Sequence, residues 1–384
     1  MPQADLKYWL ALARVPNFGS ARIGKLYRAF PNMERAFSAS VMDLLEAGFD
    51  ANLANHFLQT RLHISPDQEL EKLLEADVSA VTRRDPEYPP LLSKIYDPPP
   101  ILFFRGTLPD PSRKHISVVG TRNPSKYGLR VGGRIVGSLA ESGVVIVSGL
   151  AYGIDALAHE STLTHGGTTI AVLGSGVDTA SIYPAGNRHI ASQILAHGGA
   201  IVSEFPVGTL PMPFHFPLRN RIIAGLAHGT LVIEAAQKSG SLITARAALE
   251  GGRDVYAIPG DIDSEMSEGP NNLIKMGAIP VTCTEDMLGP ETSPNPSFAG
   301  GASREARTNS SPAKGRLGGV VFAYQPRSET ERLILEQLAR DPVHVDEVAH
   351  ATLLPIDTLG STLTLLEMKG IIKHEGGRYY TRQK

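Results

Sequence analysis

Residues 116–148 read ISVVGTRNPSKYGLRVGGRIVGSLAESGVVIVS. ISVVG and VVIVS are short β-branched runs, and the segment between them carries apolar residues at helical spacing. A strand that is apolar throughout is buried on both faces, which is the mark of a parallel sheet covered by helices. The unit recurs as TIAVL (169–173), AIVSE (200–204), TLVIE (230–234) and DVYAI (254–258), with helical stretches such as SGSLITARAALEGG between the runs. A repeat of about 25–30 residues fits right-handed βαβ units. The fold class is therefore α/β: a doubly wound, Rossmann-like parallel sheet over residues 115–289.

The flanks read differently. Residues 1–80 are expected to form a small all-helical domain, with Ser40 as a helix cap. Its piece FGSARIGKLYRAF puts a Gly turn between two short helices. That turn has two readings: a helix-hairpin-helix (or SAM-like) phosphate contact, or an ordinary helix connection. Residues 81–114 are Pro-rich and read as a connector with one short strand, ILFFRG. Residues 290–326 are rich in Pro, Gly and Ser and read as a flexible linker. Residues 327–384 read as three helices and a hairpin, the layout of a winged-helix domain. Its third helix offers Thr358, Ser361, Thr362 and Thr364 but only one base, Lys369, at its far end. A major-groove reader places Arg, Lys, Asn or Gln near its start, so sequence-specific duplex reading is disfavoured.

Composition excludes several classes. The chain has 384 residues, 42% hydrophobic and 20% charged, which describes an ordinary soluble protein. A single cysteine, Cys283, excludes an intrachain disulfide framework and multi-cysteine zinc sites. No signal peptide and no apolar run of membrane-spanning length are read, so a cytoplasmic protein with no membrane contact is expected. Lys plus Arg number 37 against 39 Asp plus Glu, a net charge of −2, so any polyanion site must be a local patch. Such a patch is visible at 113–134, where Arg113, Lys114, Arg122, Lys126, Arg130 and Arg134 face no acid in sequence.

In an open parallel sheet, ligands bind beyond the carboxyl ends of the strands. The loops expected there are Gly-rich: Gly120-Thr121-Arg122, the segment 148–153 with Gly149, then Gly174-Ser175-Gly176, Lys238-Ser239-Gly240-Ser241 and Pro259-Gly260-Asp261. Singly, each reads as a tight turn. Together with Arg122 and with Lys126, Arg130 and Arg134 at i, i+4 and i+8, they describe a phosphate-binding rim. Arg188, Arg219, Arg221 and Arg246 fall near other strand ends, and the guanidinium fork suits phosphate. Glu204 and Glu234 end strands, and three readings stay open: catalysis, a ribose hydroxyl contact, or a cap or arginine pair. Tyr127, Tyr152 and Phe214 are available for base stacking, although core packing is the ordinary use of each. No dinucleotide fingerprint, Walker loop, nucleophile elbow or metal-ligand spacing is present, so no cofactor, metal or catalytic residue is assigned.

VVGTRNPSKYG, VSGLAYGIDALAHESTL, TIAVLGSGVDTASIYPAGNRHIASQI, the long run from SEFPVGTLPMPFHFPLRNRIIAG to VYAIPGD, and SEGPNNLIKMGA together resemble the DNA-processing protein A family (DprA, also called Smf). The resemblance is nearly continuous over 115–289. It implies a non-enzymatic, single-stranded DNA-binding recombination mediator. Such a protein protects incoming single-stranded DNA and loads the RecA recombinase past single-strand-binding protein during natural transformation. It also implies a homodimer through a surface involving Asn271, Ile274 and Ile279. By motif position it implies DNA contacts at Arg122, Arg219, Arg221 and Lys238. Some members carry Lys where this chain has Ala185 and Pro213, so charge would come instead from Arg188, Lys126 and Arg130. Two other readings are weighed. One is an enzyme cleaving a nucleoside phosphate, which would need a PGGxGTxxE-type loop that SGSLITARAALE does not supply. The other is a duplex-binding regulator using the winged helix.

Overall fold

The six apolar runs each form a strand, and three further strands join them. The computed structural model describes residues 3–16, 18–289, 329–338, 343–352, 371–376 and 379–382, with isolated positions between 354 and 367. In chain order the strands of the main sheet are β1 (Ser79–Thr82), β2 (Ile101–Gly106), β3 (His115–Val119), β4 (Val145–Ser148), β5 (Thr169–Val172), β6 (Ala200–Ser203), β7 (Gly229–Val232), β8 (Asp254–Ala257) and β9 (Ile279–Pro280). They lie in the order β1-β2-β6-β5-β4-β3-β7-β8-β9. The seven strands from β6 to β9 in that order are parallel, with Ile116 paired to Ile146 on one side and Gly229 on the other. The chain winds outward from β3 to β6 and then returns to set β7 beside β3. That return creates a topological switch between β3 and β7.

Six helices precede the sheet: α1 (Gln3–Arg14), α2 (Ser20–Ala29), α3 (Met33–Phe37), α4 (Val41–Glu46), α5 (Ala51–Arg61) and α6 (Pro66–Glu75). Ser40 caps α4 as expected, and Asp43 completes a capping box. The crossovers carry α7 (Lys126–Glu141), α8 (Ile154–Thr164), α9 (Arg188–Ala196), α10 (His215–Gly225), α11 (Ser241–Glu250), α12 (Glu265–Lys275) and the short α13 (Glu285–Leu288). Side chains alternate along each strand, so both faces of the sheet are apolar. Ile116, Val118 and Ile146 pack under α7 and α8. Val119, Val145 and Val147 pack under α10 and α11.

The sequence-based division at residues 80 and 114 does not coincide with a break in packing. The connector supplies two antiparallel strands to the main sheet, β2 on β6 and β1 on β2. ILFFRG forms β2, as expected; β1 was not foreseen. The helical segment shares one apolar core with the sheet, in which Trp9, Phe18, Phe57 and Leu26 are continuous with Ile101, Phe103, Ala171 and Ile201. A charged link adds to it: Arg14 donates to Glu69 at 2.6 Å and to the Val207 carbonyl. The described residues from 3 to 289 belong to one compact unit.

The second unit contains α14 (Glu329–Gln337), β10 (Val343–His344), α15 (Val345–Thr352), β11 (Ile372–Gly376) and β12 (Tyr379–Arg382). Its small sheet runs β10-β12-β11 over a core that includes Ile334, Val348, Leu363 and Ile372. This matches the expected winged-helix layout. The linker 290–326, most of the third helix and Gly377 of the hairpin turn lie outside the described residues.

Phe57 is fully buried at the heart of the shared core. Phe57→Ala is expected to cost about 3–5 kcal/mol. Because the helices and sheet share that core, a urea transition followed by Trp9 fluorescence should shift together with the main far-UV circular dichroism transition. A fluorescence transition that moves alone would show the helical segment unfolding independently.

Candidate nucleic-acid interface

At the switch point the chain occupies its own anion site. The turn after β3 is tied to the end of β7 by the Thr121 N–H, which donates to the Glu234 carbonyl at 2.7 Å. The Glu234 carboxylate, only 2% exposed, accepts from the Ser125 N–H at 2.9 Å and the Ser125 hydroxyl at 2.5 Å. It sits at the N-terminus of α7, where the helix dipole favours negative charge. Gly128 is required there, because a Cβ at that position would overlap the same carboxylate. Ser125 caps α7, its hydroxyl accepting from the Gly128 N–H at 3.1 Å, and Glu234 holds that cap in the place where a ligand phosphate would sit. Glu204 resolves in the same way: both its oxygens accept from Arg221, at 2.6 and 2.7 Å.

Arg219 reaches from α10 across the edge of the sheet. Its Nη1 donates to the Gly149 carbonyl at 2.7 Å and to the Val172 carbonyl, so it joins the loops that leave β4 and β5. The side chain is 4% exposed. Burial lowers its pKa to about 10; the nearby Asp155 charge opposes that fall and the Arg122 charge adds to it. Burial raises the Asp155 carboxyl pKa, against the pull of Arg219 and of the loop amides, including the Ala151 N–H. His159 lies in the same buried cluster. Its Nδ1 is 2.7 Å from the Thr169 hydroxyl, and burial followed by repulsion from Arg219 lowers its pKa to about 3.

Five of the expected contacts are thus engaged by the protein's own groups. Arg219 and Arg221 are held by carbonyls and carboxylates. Gly149, Gly174 and Gly176 are buried turn residues. The Gly174 carbonyl accepts from His215 at 3.1 Å, and the Gly176 N–H donates to the Thr209 carbonyl at 2.9 Å. The Ser239 hydroxyl lies 2.7 Å from that of Ser241 at the start of α11. These residues shape the edge.

The remaining cations face solvent. Arg122, Lys126, Arg130 and Lys238 are exposed and make no hydrogen bond or ion pair among the described residues. Arg130 lies 6.0 Å over the Tyr127 ring, and Arg134 donates to the Thr282 carbonyl at 3.4 Å. Arg188 is exposed too, with its guanidinium on the Ala180 and Ile182 carbonyls. Asn220 donates to the Gly240 carbonyl at 3.3 Å, which brings the Lys238 loop beside α10.

Rings accompany these charges. Tyr152 is 51% exposed and Phe214 59%, so neither takes the core position that is ordinary for an aromatic. Tyr127 is exposed as well. Tyr183, 48% exposed and 5.8 Å from the Phe216 ring, escaped the sequence reading, although its place in SIYPAGN, on the connection from β5 to α9, was the available signal. On the opposite flank, the Asn271 side chain is latched to Gly260, donating to its carbonyl at 3.0 Å and accepting from its N–H at 3.2 Å. Ile274 packs inward, and Ile279 is exposed on the edge strand β9.

The sequence profile of the family described as DNA recombination-mediator protein A matches residues 79–290, and that of the DprA winged helix domain matches 322–378. A protein named Smf from Synechocystis sp. is 36% identical over 402 aligned residues, spanning 100% of both chains. The DNA processing protein DprA of Streptococcus pneumoniae is 47% identical over 201 residues, 52% of this chain and 70% of its own. The X-ray structure of DNA processing protein A from Streptococcus pneumoniae superposes with a TM-score of 0.63 and 36% identity, covering 73% of this chain and 96% of that one.

His159 gives the buried cluster a pH signature. Its pKa is lowered on folding, so the unfolded chain binds the extra proton between pH 6.5 and about 3. Stability is then full above pH 6.5 and falls as the pH drops, by up to about 1.4 kcal/mol per pH unit. Urea midpoints measured from pH 7 to 4 should show this slope, and His159→Gln should flatten it. An unaltered slope in the variant would assign the acid sensitivity to other groups.

Proposed function

Because this chain belongs to the DNA recombination-mediator protein A (DprA/Smf) family, we propose that it binds single-stranded DNA along the carboxyl edge of its main sheet. The observation that carries this reading is the pairing of solvent-facing cations, Arg122, Lys126, Arg130 and Lys238, with exposed rings, Tyr152, Tyr183 and Phe214, on one edge. Cations without a partner bind phosphates by releasing counterions, which is tolerant of sequence. Exposed rings add stacking, worth about 1–3 kcal/mol per base, and only unpaired bases are free to use it. The net charge of −2 makes this local arrangement necessary. Arg122 is its centre, since its charge is felt by Arg219 beneath the edge. Arg188 and Ser239 flank the path.

In the same reading the protein protects incoming single strands during natural transformation. It hands them to RecA past single-strand-binding protein, acts in the cytoplasm and catalyses no reaction. A second copy joins through the face around Asn271, Ile274 and Ile279. With Asn271 latched to Gly260 and Ile274 turned inward, Met276 and Ile279 are exposed apolar groups that this face offers. Among the described residues no helix is long and apolar enough to cross a membrane.

Two outcomes test the proposal. Arg122→Ala should weaken binding to labelled oligo-dT and reduce the magnitude of the log–log salt slope by about 0.7, the share of one single-strand phosphate. Its melting temperature should stay that of the parent, because Arg122 holds nothing in the fold. Anisotropy titrations at several salt concentrations measure this, and an unaltered slope would remove Arg122 from the path. Ile279→Glu should yield monomers by light scattering, because it places a charge in an apolar contact. A persisting dimer would put the interface elsewhere.

A further inference from the structure

We propose that the crevice between the start of α7 and the turn from β8 to α12 takes the vicinal hydroxyls of a ribonucleotide. The site is independent of the single-strand reading above. It lies over the end of β7, beside the topological switch, where open α/β sheets receive ligands. Its volume is about 530 Å³, within the range of small-molecule clefts. Ser125 and Tyr127 form one side, Asp261, Ser264 and Ser267 form the other, and the buried Glu234 lies at the base. The Tyr127 hydroxyl donates to the Pro259 carbonyl at 2.7 Å and so joins the two sides.

The polar groups of this crevice are only partly used. Ser267 is 4% exposed, and its hydroxyl has no hydrogen-bond partner among the described residues. Gly260 is required beside it, because a Cβ there would collide with that hydroxyl. Ser264 makes no side-chain cap bond, so the start of α12 keeps uncapped N–H groups. Acceptors face these donors. Each Glu234 oxygen takes one bond, from the Ser125 N–H or the Ser125 hydroxyl, and a carboxylate oxygen can accept two. Asp261 is exposed, and its Oδ1 accepts from the Asp263 N–H at 3.0 Å.

This mixture selects the ligand. A bare phosphate would meet two carboxylates, and a metal cation would face the positive end of α12. A hydroxyl both donates and accepts. Two adjacent hydroxyls would donate to Glu234 and Asp261 while accepting from Ser267 and the start of α12. Carboxylates hold ribose hydroxyls by the same kind of bond in dinucleotide folds. The 5′-phosphate would lie outside the crevice. Ser125 and Glu234 close the α7 start to it, while Lys126, the next residue, is exposed and makes no ion pair among the described residues. The ligand class is therefore a ribonucleoside phosphate, either free or at the 3′ end of a strand.

The test titrates the full chain with adenosine 5′-monophosphate and its 2′-deoxy analogue by calorimetry. The parent should bind the ribonucleotide about tenfold more tightly, the order of one hydrogen bond to a charged group. Ser267→Ala and Asp261→Ala should each remove most of that preference. Their melting temperatures without ligand should stay near that of the parent, because the Ser267 hydroxyl is unpartnered and Asp261 is exposed. A second arm compares oligo-dT with oligo-dT ending in one ribonucleotide, by anisotropy. Tighter binding of the ribonucleotide-ended strand, lost in Ser267→Ala, would support the proposal with a strand end as the source. Equal binding of the two strands beside a preference for the free ribonucleotide would support it with a free nucleotide as the source. No preference in either pair would overturn the proposal, and so would a preference that survives both variants. A melting temperature raised by Mg²⁺ alone, and not raised in Asp261→Ala, would overturn it and assign the crevice to a cation. Failure of the parent to bind oligo-dT, with the ribonucleotide preference kept, would overturn the single-strand reading and support this site.

Discussion

Arg219 joins the carboxyl ends of β4 and β5 from a helix on the α10 side of the sheet, with two strand-end carbonyls on one nitrogen and the Asp155 charge nearby. A buried guanidinium is costly to desolvate and persists only when its surroundings compensate it. Here the compensation is the edge itself. The Gly149 loop turns so that its carbonyl faces the cation, and a Cβ at Gly149 would press on Arg219 and Asp155. The neighbouring loop follows, since Gly153 at φ +79° brings α8 against the turn that carries Arg122. The placement of the exposed charge thus derives from the buried one.

This arrangement explains how a chain of net charge −2 presents a basic edge. Three acids near the strand ends are engaged by the protein itself. Glu234 holds the Ser125 cap of α7, Glu204 holds Arg221, and Asp155 sits under Arg219. The cations on the same edge have no such partners among the described residues, so their field reaches solvent. Glu234 thus stands at the helix start that receives a nucleotide phosphate in a dinucleotide fold.

Much of this was legible in the sequence. Strands β3 to β8 announce themselves because a strand buried on both faces must be apolar throughout. ILFFRG does the same, but β1 is four residues after a helix and carries no such run. The main loops and their basic residues were also legible, because βα turns sit where strands end. What could not be read was the direction of the long side chains. Arg219 and Arg221 share a helix turn with motif glycines in reach, yet only the fold shows that both forks close on the protein's own oxygens. Glu204 and Glu234 were open to several uses for the same reason. Exposure of Tyr152, Tyr183 and Phe214 was equally hidden, because ring type favours the core and only the packed neighbours decide otherwise.

The far side of the sheet ends in a strand of two residues, the second of which is Pro280. Proline has no N–H to give to a further strand, and so short a segment offers almost no ladder. Another sheet therefore finds almost no backbone ladder here on which to extend. A contact made at this margin, where Ile279 projects, is formed by side chains alone. Such a contact would be released without unzipping backbone hydrogen bonds.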